Sequence, residues 1–360
     1  MKRRDFVAAA ALAAASPALA QNRQRRGAGG PVVIASGNGL ECVKRAHGLV
    51  RDGVDPAHAV VKGVEINEND PNDDSVGFGG LPNEHGVVSL DSCVMHGPTH
   101  RSGAVAAIEN IKNPAAVALE VARRTDHCMI VGDGAKRFAL QLGFKEENLL
   151  TEASRQKWLR WKANHSRNDD WLNEDEFDIP SETSERHSSL MPGPSPRPSP
   201  RGRGGEFDSH TGTIHCSALT GAGDLAGCTT TSGLSWKIPG RIGDSPLIGA
   251  GCYTDNAVGS AGATGRGEAV IQICGARTVV MRMEMGDDPT DACLYALKHI
   301  ADKTKAKRLL NDRGEPNFNV CFYAVRKDGA YGGACMRGIR EYAVADAKGA
   351  RLERCAALYD

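Results

Sequence analysis

The sequence has few aromatics, no net charge and no long apolar run. It holds 8 Phe, 4 Trp and 6 Tyr against 42 Gly in 360 residues. Such a chain builds its core from aliphatic side chains and uses many tight turns and close backbone approaches. Lys and Arg balance Asp and Glu at 44 each, which gives no global attraction to nucleic acid or to an anionic membrane. No apolar run reaches the ~20 residues that a bilayer span requires. Cys-x-x-Cys is missing and no Cys/His cluster has ligand spacing, so neither a metal site nor a cofactor is expected. Eleven cysteines, from Cys42 to Cys355, are odd in number, so at least one has no partner in the chain. Buried free thiols are expected, with a disulfide or two left open. The 41% of hydrophobic residues suffices for a sizeable core and excludes a wholly disordered chain.

The first twenty residues read as an export signal. Arg3 and Arg4 are basic, Phe6 to Ala15 is apolar, and Ala18-Leu19-Ala20 offers a small-x-small cleavage site. The arginine pair resembles a twin-arginine signal, and the mature protein would begin near Gln21 in a periplasm or outside the cell. Residues 21–30 form a polar, Gly/Arg-rich leader. Residues 166–209 turn acidic and polar and then run through a Pro/Arg tract, Leu190 to Gly205, which predicts an exposed, mobile linker.

On either side of that linker, strands alternate with helices. Pro31 to Ala35 and Gly86 to Asp91 read as strands. Asp55-Pro56, Asn113-Pro114 and Asp288-Pro289 each place a capping residue before a proline, opening helices to about Asn67, Arg124 and Lys303. Thr213 to Leu219 and Leu225 to Thr230 make one hairpin; Phe318 to Val325 and Ala330 to Ala334 make another. Hairpins imply antiparallel pairing, so the class is mixed α and β, with helices covering a sheet core.

The chemistry concentrates in three segments: Thr229-Thr230-Thr231-Ser232-Gly233, Arg241 to Pro246, and Ala263-Thr264-Gly265. Arg241 and Asp244 lie three apart in a Gly-rich loop and could present a cation and an anion to one amino-acid zwitterion. Thr213 follows Gly212 just after the linker. A cut there would leave a threonine whose hydroxyl is nucleophile and whose own α-amine is general base. An α-amine titrates at roughly 7.7–8.0, so its neutral form is available near neutral pH. His210 and His215 flank this threonine, and this chemistry does not require them. There is no Gly-x-Ser-x-Gly elbow and no P-loop.

With these pieces in place the chain resembles the glycosylasparaginases, the aspartylglucosaminidase branch of the N-terminal-nucleophile hydrolases in the type 2 asparaginase superfamily. The matching pieces are Ser75-Val-Gly-Phe-Gly-Gly-Leu-Pro, Leu90-Asp91, Gly103-Ala-Val-Ala, Ile111-Lys-Asn-Pro and Val131-Gly-Asp-Gly-Ala in the first half. In the second they are Thr213-Ile, Thr229 to Gly233, Gly240-Arg-Ile-Gly-Asp-Ser-Pro, Ala263-Thr-Gly-Arg-Gly and Gly329-Ala-Tyr-Gly-Gly-Ala. The likeness covers roughly residues 31–165 and 211–340, in order. It implies a four-layer αββα sandwich (α+β class) forming one composite catalytic domain. An α subunit (31–212) and a β subunit (213–360) would arise by autoproteolysis at Gly212–Thr213, and two of each would assemble. It further implies Thr213 as nucleophile and amine base, Thr231 as its hydrogen-bonding partner, and Thr264 and Gly265 as the oxyanion hole. Arg241 would bind the substrate α-carboxylate, Asp244 its α-ammonium, and Ser75 would line the pocket.

The sequence departs from that pattern in two places. Gly212 stands where the branch has an aspartate before the threonine, and glycine tolerates a strained backbone that would promote the acyl shift. Gly37 and Gly39 stand where the branch has an aromatic pair, which predicts a larger or looser pocket wall. The expected activity is hydrolysis of the N4-(β-N-acetylglucosaminyl)-L-asparagine amide, giving aspartate and a glycosylamine. L-asparaginase or β-aspartyl peptidase activity is the alternative on the same fold. An uncut relative that only binds amino-acid-like ligands is the alternative outside enzymes. The partner is a small molecule, with no nucleic acid and no membrane span.

Overall fold

A computed structural model describes residues 30–163 and 213–360, with Leu172 and Ile179 between them. The export segment, nearly all of the leader, the Pro/Arg linker, His210 and Gly212 lie outside the described residues.

The first half runs β1 (Val32–Ser36), α1 (Leu40–Arg51), α2 (Pro56–Glu68), β2 (Ser89–His96), β3 (Arg101–Glu109), α3 (Pro114–Arg124), β4 (Met129–Val131), α4 (Gly132–Gln141) and α5 (Glu152–Ala163). The second runs β5 (Thr213–Leu219), β6 (Leu225–Thr231), β7 (Cys252–Asp255), β8 (Gly259–Gly265), α6 (Gly267–Ile271), α7 (Gly275–Glu284), α8 (Pro289–Lys303), β9 (Val320–Arg326), β10 (Tyr331–Arg337), β11 (Glu341–Asp346), β12 (Gly349–Arg354) and β13 (Ala356–Tyr359).

Two of the three predicted caps act as expected. Asp55 accepts from the N–H groups of Ala57 and His58, and Asp288 from that of Thr290. At α3 the helix forms as predicted, but Asn113 does not cap it. Its amide turns instead to Glu68 and Asn69, and Glu68 Oε1 takes the Ala115 N–H at 3.0 Å. A buried carboxylate at the end of α2 thus caps α3 from outside. The strand expected from Gly86 begins later, at Ser89, because Asn83 Oδ1 accepts from the N–H groups of His85 and Val87 and holds a turn there.

The strands form two sheets. One has eight strands in the order β12-β11-β1-β5-β6-β2-β3-β4; the other has five, β13-β10-β9-β8-β7. Both predicted hairpins pair antiparallel, Thr213 opposite Thr231 and Tyr331 opposite Val325. The two helical layers lie outside. Residues of α1 to α4 pack against one face of the large sheet, with Val117 and Val121 fully buried. Residues of α7 and α8 pack against the outer face of the small sheet around Phe322 and Val279. Between the sheets, Ile34, Leu225, Tyr323 and Val344 meet. This is the four-layer αββα sandwich, and its two central strands, β5 and β6, carry Thr213 and Thr231. All eleven cysteines are free thiols and most are buried.

Candidate active site

Strand alternation sends Thr213, His215 and Ser217 to one face of β5, between the sheets, and Ile214, Cys216 and Ala218 to the helical side. Thr213 is 8% exposed. Its Oγ1 lies 3.1 Å from Oγ1 of Thr231, the residue directly across the ladder. The Thr231 hydroxyl also accepts from the Gly233 N–H at 2.8 Å. That bond fixes the turn leaving β6, where Gly233 has φ +73°.

The loop after this turn brings in Arg241. If Gly233 carried a Cβ, it would stand 3.3 Å from Arg241 Nη1, so the guanidinium lies against the turn beside Thr231. Glu268, at the start of α6, holds it from the other side, with Oε1 accepting from Nε at 2.9 Å and Nη2 at 2.7 Å. Burial alone would raise the Glu268 carboxyl, but the Arg241 charge and hydrogen bonds outweigh it and hold it below the usual range. Nη1 faces the glycine turns.

Asp244 is 4% exposed, and its Oδ2 has no hydrogen-bond partner among the described residues. Burial pushes its carboxyl up to about 7 against the opposing pull of Arg241. A buried carboxyl oxygen without a partner is costly unless a ligand satisfies it, and an ammonium group supplies both the charge and the donor. Gly267 leaves room for it: a Cβ there would come within 2.8 Å of Asp244 Oδ1.

Thr264, next to last in β8, has its hydroxyl 3.0 Å from the Tyr323 hydroxyl, and Gly265 ends the strand at φ +111°. A side chain at Gly265 would drive into the Asn319 carbonyl at 2.4 Å. Only glycine serves there, and it turns the chain immediately after Thr264. Ser75 is nearly buried and donates to Asp73 Oδ1, while the Ser232 N–H donates to the Ser75 carbonyl at 2.9 Å. Ser75 therefore borders the same turn. Thr213, Thr231 and Arg241 converge around the Thr231–Gly233 turn, while Asp244 and Thr264 stand on the neighbouring loop and strand.

Gly37 and Gly39 leave no room for side chains where they stand. A Cβ at Gly37 would meet the Glu341 carbonyl at 2.7 Å, and one at Gly39 would meet Ala35 Cβ at 2.6 Å and Ile214 Cδ1 at 2.8 Å. The β1–α1 turn is closed onto its neighbours. An aromatic pair exists elsewhere: Trp161, near the end of α5, stacks on Trp236, midway between Thr231 and Arg241, with ring centroids 5.3 Å apart.

Several further residues support the site, though the sequence assigned them no role. Ser36 sits 3.3 Å from the Thr213 carbonyl. Asp91 accepts from the Ala107 N–H at 2.8 Å and the Gly243 N–H at 3.4 Å, pinning the Arg241–Asp244 loop to β2. Lys237 is fully buried and donates to the carbonyls of Ser89 and Ser232. Among the described residues no cluster of His, Cys, Asp or Glu could hold a metal, and no helix is long and apolar enough to cross a membrane.

The family profile described as Asparaginase matches residues 14–309. The chain belongs to the asparaginase family. Among relatives, the N(4)-(beta-N-acetylglucosaminyl)-L-asparaginase of Elizabethkingia miricola is 38% identical over 98% of this chain and 94% of its own. That of Mus musculus is 32% identical over 85% and 84%. A putative member from Drosophila yakuba is 35% identical over 79% and 69%. These lengths span both halves of the sandwich, so the likeness embraces Thr213, the Arg241–Asp244 loop and Thr264 together.

Proposed function

We propose that this chain hydrolyses the amide of N4-(β-N-acetylglucosaminyl)-L-asparagine through an N-terminal threonine. The chain is an amide hydrolase of the asparaginase family, and the names of its relatives support this substrate. The observation that carries the reading is Thr213: the first residue of a central strand, hydrogen-bonded to Thr231, from which one turn leads to the loop of Arg241 and the buried Asp244.

In the proposed reaction the substrate α-carboxylate meets Arg241 and its α-ammonium meets Asp244. This presents the side-chain amide to Thr213 Oγ1. The hydroxyl attacks the amide carbon, and its proton passes to the threonine's own α-amine. Thr264 and Gly265 face the oxyanion, a type of contact that contributes about 3 kcal/mol in other hydrolases. Collapse breaks the C–N bond, and the protonated α-amine returns the proton to the departing glycosylamine. Water then hydrolyses the aspartyl ester. Before the Gly212–Thr213 bond is cut, that nitrogen is an amide and cannot act as the base, so the uncut precursor is inactive. Autoproteolysis by an N→O acyl shift, export through the twin-arginine-like signal and an (αβ)2 assembly belong to the same proposal.

One observation favours a second reading. The closed turn at Gly37 and Gly39 removes an aromatic wall for the sugar, which fits L-asparagine or β-aspartyl peptides. Relative kcat/KM on the glycosylated asparagine, free asparagine and a β-aspartyl dipeptide decides between them. The proposal expects the first to lead, and a lead for either other substrate replaces it.

A further inference from the structure

Two residues beyond Thr213, on the same face of β5, a fully buried histidine sits between the sheets. Both ring nitrogens of His215 have partners. Nδ1 is 2.8 Å from Thr229 Oγ1, and Nε2 is 2.8 Å from Ser217 Oγ. Thr229 donates its one proton to the Gly251 carbonyl at 2.9 Å. It can therefore only accept from His215, so Nδ1 carries the ring proton. Burial drives the ring down to about 3 and keeps it neutral, leaving Nε2 as an acceptor. Ser217 must then donate to Nε2, Ser260 to Ser217 at 2.7 Å, and Thr254 to Ser260 at 2.7 Å. Counting protons thus orders five hydrogen bonds in one direction, from Thr254 through His215 to the Gly251 carbonyl.

The space for this ring is reserved. A Cβ on Gly262 would stand 2.0 Å from Nδ1, and one on Gly227 would crowd Ser260 and Thr254. The ring also lies nearly parallel to that of Tyr323, whose hydroxyl meets Thr264.

The chain ends at a junction. The Gly251 carbonyl also accepts from the Ala263 N–H at 3.1 Å, one residue before Thr264. The Gly251 N–H donates to the Asp244 carbonyl at 3.1 Å, and a Cβ on Gly251 would strike that carbonyl at 2.5 Å. The two peptide groups that flank Gly251 therefore tie the backbone of Asp244 to that of Ala263, and the carbonyl of the second is held by Thr229, across the ladder from His215 on the nucleophile's own strand.

We infer that His215 is a positioning residue: through Thr229 and the backbone of Gly251 it registers the Asp244 ammonium pocket and Thr264 against Thr213. An apolar side chain of similar volume would fill the same space at little cost in stability, so cohesion alone does not call for the directed chain. The inference rests on reading Arg241 and Asp244 as the pocket for an aminocarboxylate.

Binding of the product, L-aspartate, against succinate, which lacks only the ammonium, reads that pocket without turnover. Calorimetry on the full protein should show tighter binding of aspartate. His215→Phe and the milder Thr229→Val should each cut this preference roughly tenfold, the scale of one hydrogen bond to a charged group. His215→Asn, which restores a donor near the Nδ1 position, should recover part of it. Ser217→Ala, on the other arm, should retain it. A folded Thr229→Val protein with its preference intact overturns the inference, as does equal loss in Ser217→Ala. A wild-type protein that binds both diacids equally overturns the pocket reading itself, and the inference with it.

Discussion

Thr213 and Thr231 face each other as directly paired residues of neighbouring central strands, their hydroxyl oxygens 3.1 Å apart. With the Gly233 N–H donating to it, the Thr231 hydroxyl can hold a lone pair or a proton toward the nucleophile. Thr213→Ala is expected to abolish turnover. Thr231→Ala should lower kcat by ~10²-fold, the scale of losing a group that assists a proton transfer, with little change in KM. A large KM rise with kcat intact would move Thr231 out of that role.

Asp244 should make binding pH-dependent. Burial pushes its carboxyl up to about 7 in the empty site, and an ammonium needs the carboxylate. kcat/KM for α-amino substrates should therefore fall as pH drops through 7, by up to ~10-fold per unit. An amide lacking the α-amino group should show a shallower acid limb. Matching limbs for both substrates would exclude Asp244 as the source.

Trp236, on the loop that delivers Arg241, stacks on Trp161 of α5, whereas the turn at Gly37 and Gly39 offers no ring. Aromatic faces suit the apolar face of a sugar. Trp236→Ala should raise KM for glycosylated asparagine roughly tenfold, on the scale of ~1.5 kcal/mol for an aromatic contact, and leave KM for asparagine nearly unchanged. Equal effects on both substrates would assign the pair to packing.

Gly39 is packed between Ala35 and Ile214, the residue after Thr213. Gly39→Ala should cost about 1–3 kcal/mol by overpacking and disturb Thr213 as well. Urea unfolding and kcat measured on the same preparation would show both losses. An unchanged midpoint would mean that the turn yields freely.

Glu68 caps α3 from the end of α2 and also accepts from the Thr230 hydroxyl at 2.7 Å. Burial, the dominant cause, pushes its carboxyl up to about 7, above the 4.5 of a free glutamate. A raised folded value means that the folded state holds the proton more tightly. Its contribution is fully present below about 4.5 and is lost as pH rises through about 7. His215 acts in the opposite sense: lowered to about 3 from 6.5, its contribution is present above 6.5 and lost as pH falls toward 3. Glu68→Gln should remove up to about 3 kcal/mol of the decline between pH 5 and pH 8, read by urea unfolding at both values. A variant with the same decline as wild type would place Glu68's titration elsewhere.

Much of the fold is written locally. Asp55-Pro56 and Asp288-Pro289 announce their helices because cap and proline act within one turn. The Thr213 and Phe318 hairpins follow from short turns between apolar runs. Of the candidate site residues, Thr231, Arg241, Asp244, Thr264 and Gly265 cluster in three short motifs, and Thr213 opens a strand-like run just after the linker. What was not legible depends on contacts made across the fold. Asn113 looks like a cap, but Glu68 reaches α3 first. Asp91 pins the Arg241–Asp244 loop from more than a hundred residues away. Glu268, three residues past Gly265, orients Arg241 only because α6 folds back over the loop. The hydroxyls that extend the His215 chain, Ser260 and Thr254, meet Ser217 only when the second sheet closes over the first.

The measurement closest to the central claim is the intact mass of the active protein under denaturing conditions, with sequencing of its amino termini. Two fragments are expected, the second beginning at Thr213, and a single uncut, inactive chain for Thr213→Ala. A wild-type chain that stays whole at Gly212–Thr213 while hydrolysing the glycosylated asparagine would contradict it, because Thr213 would then have no free amine to act as the base.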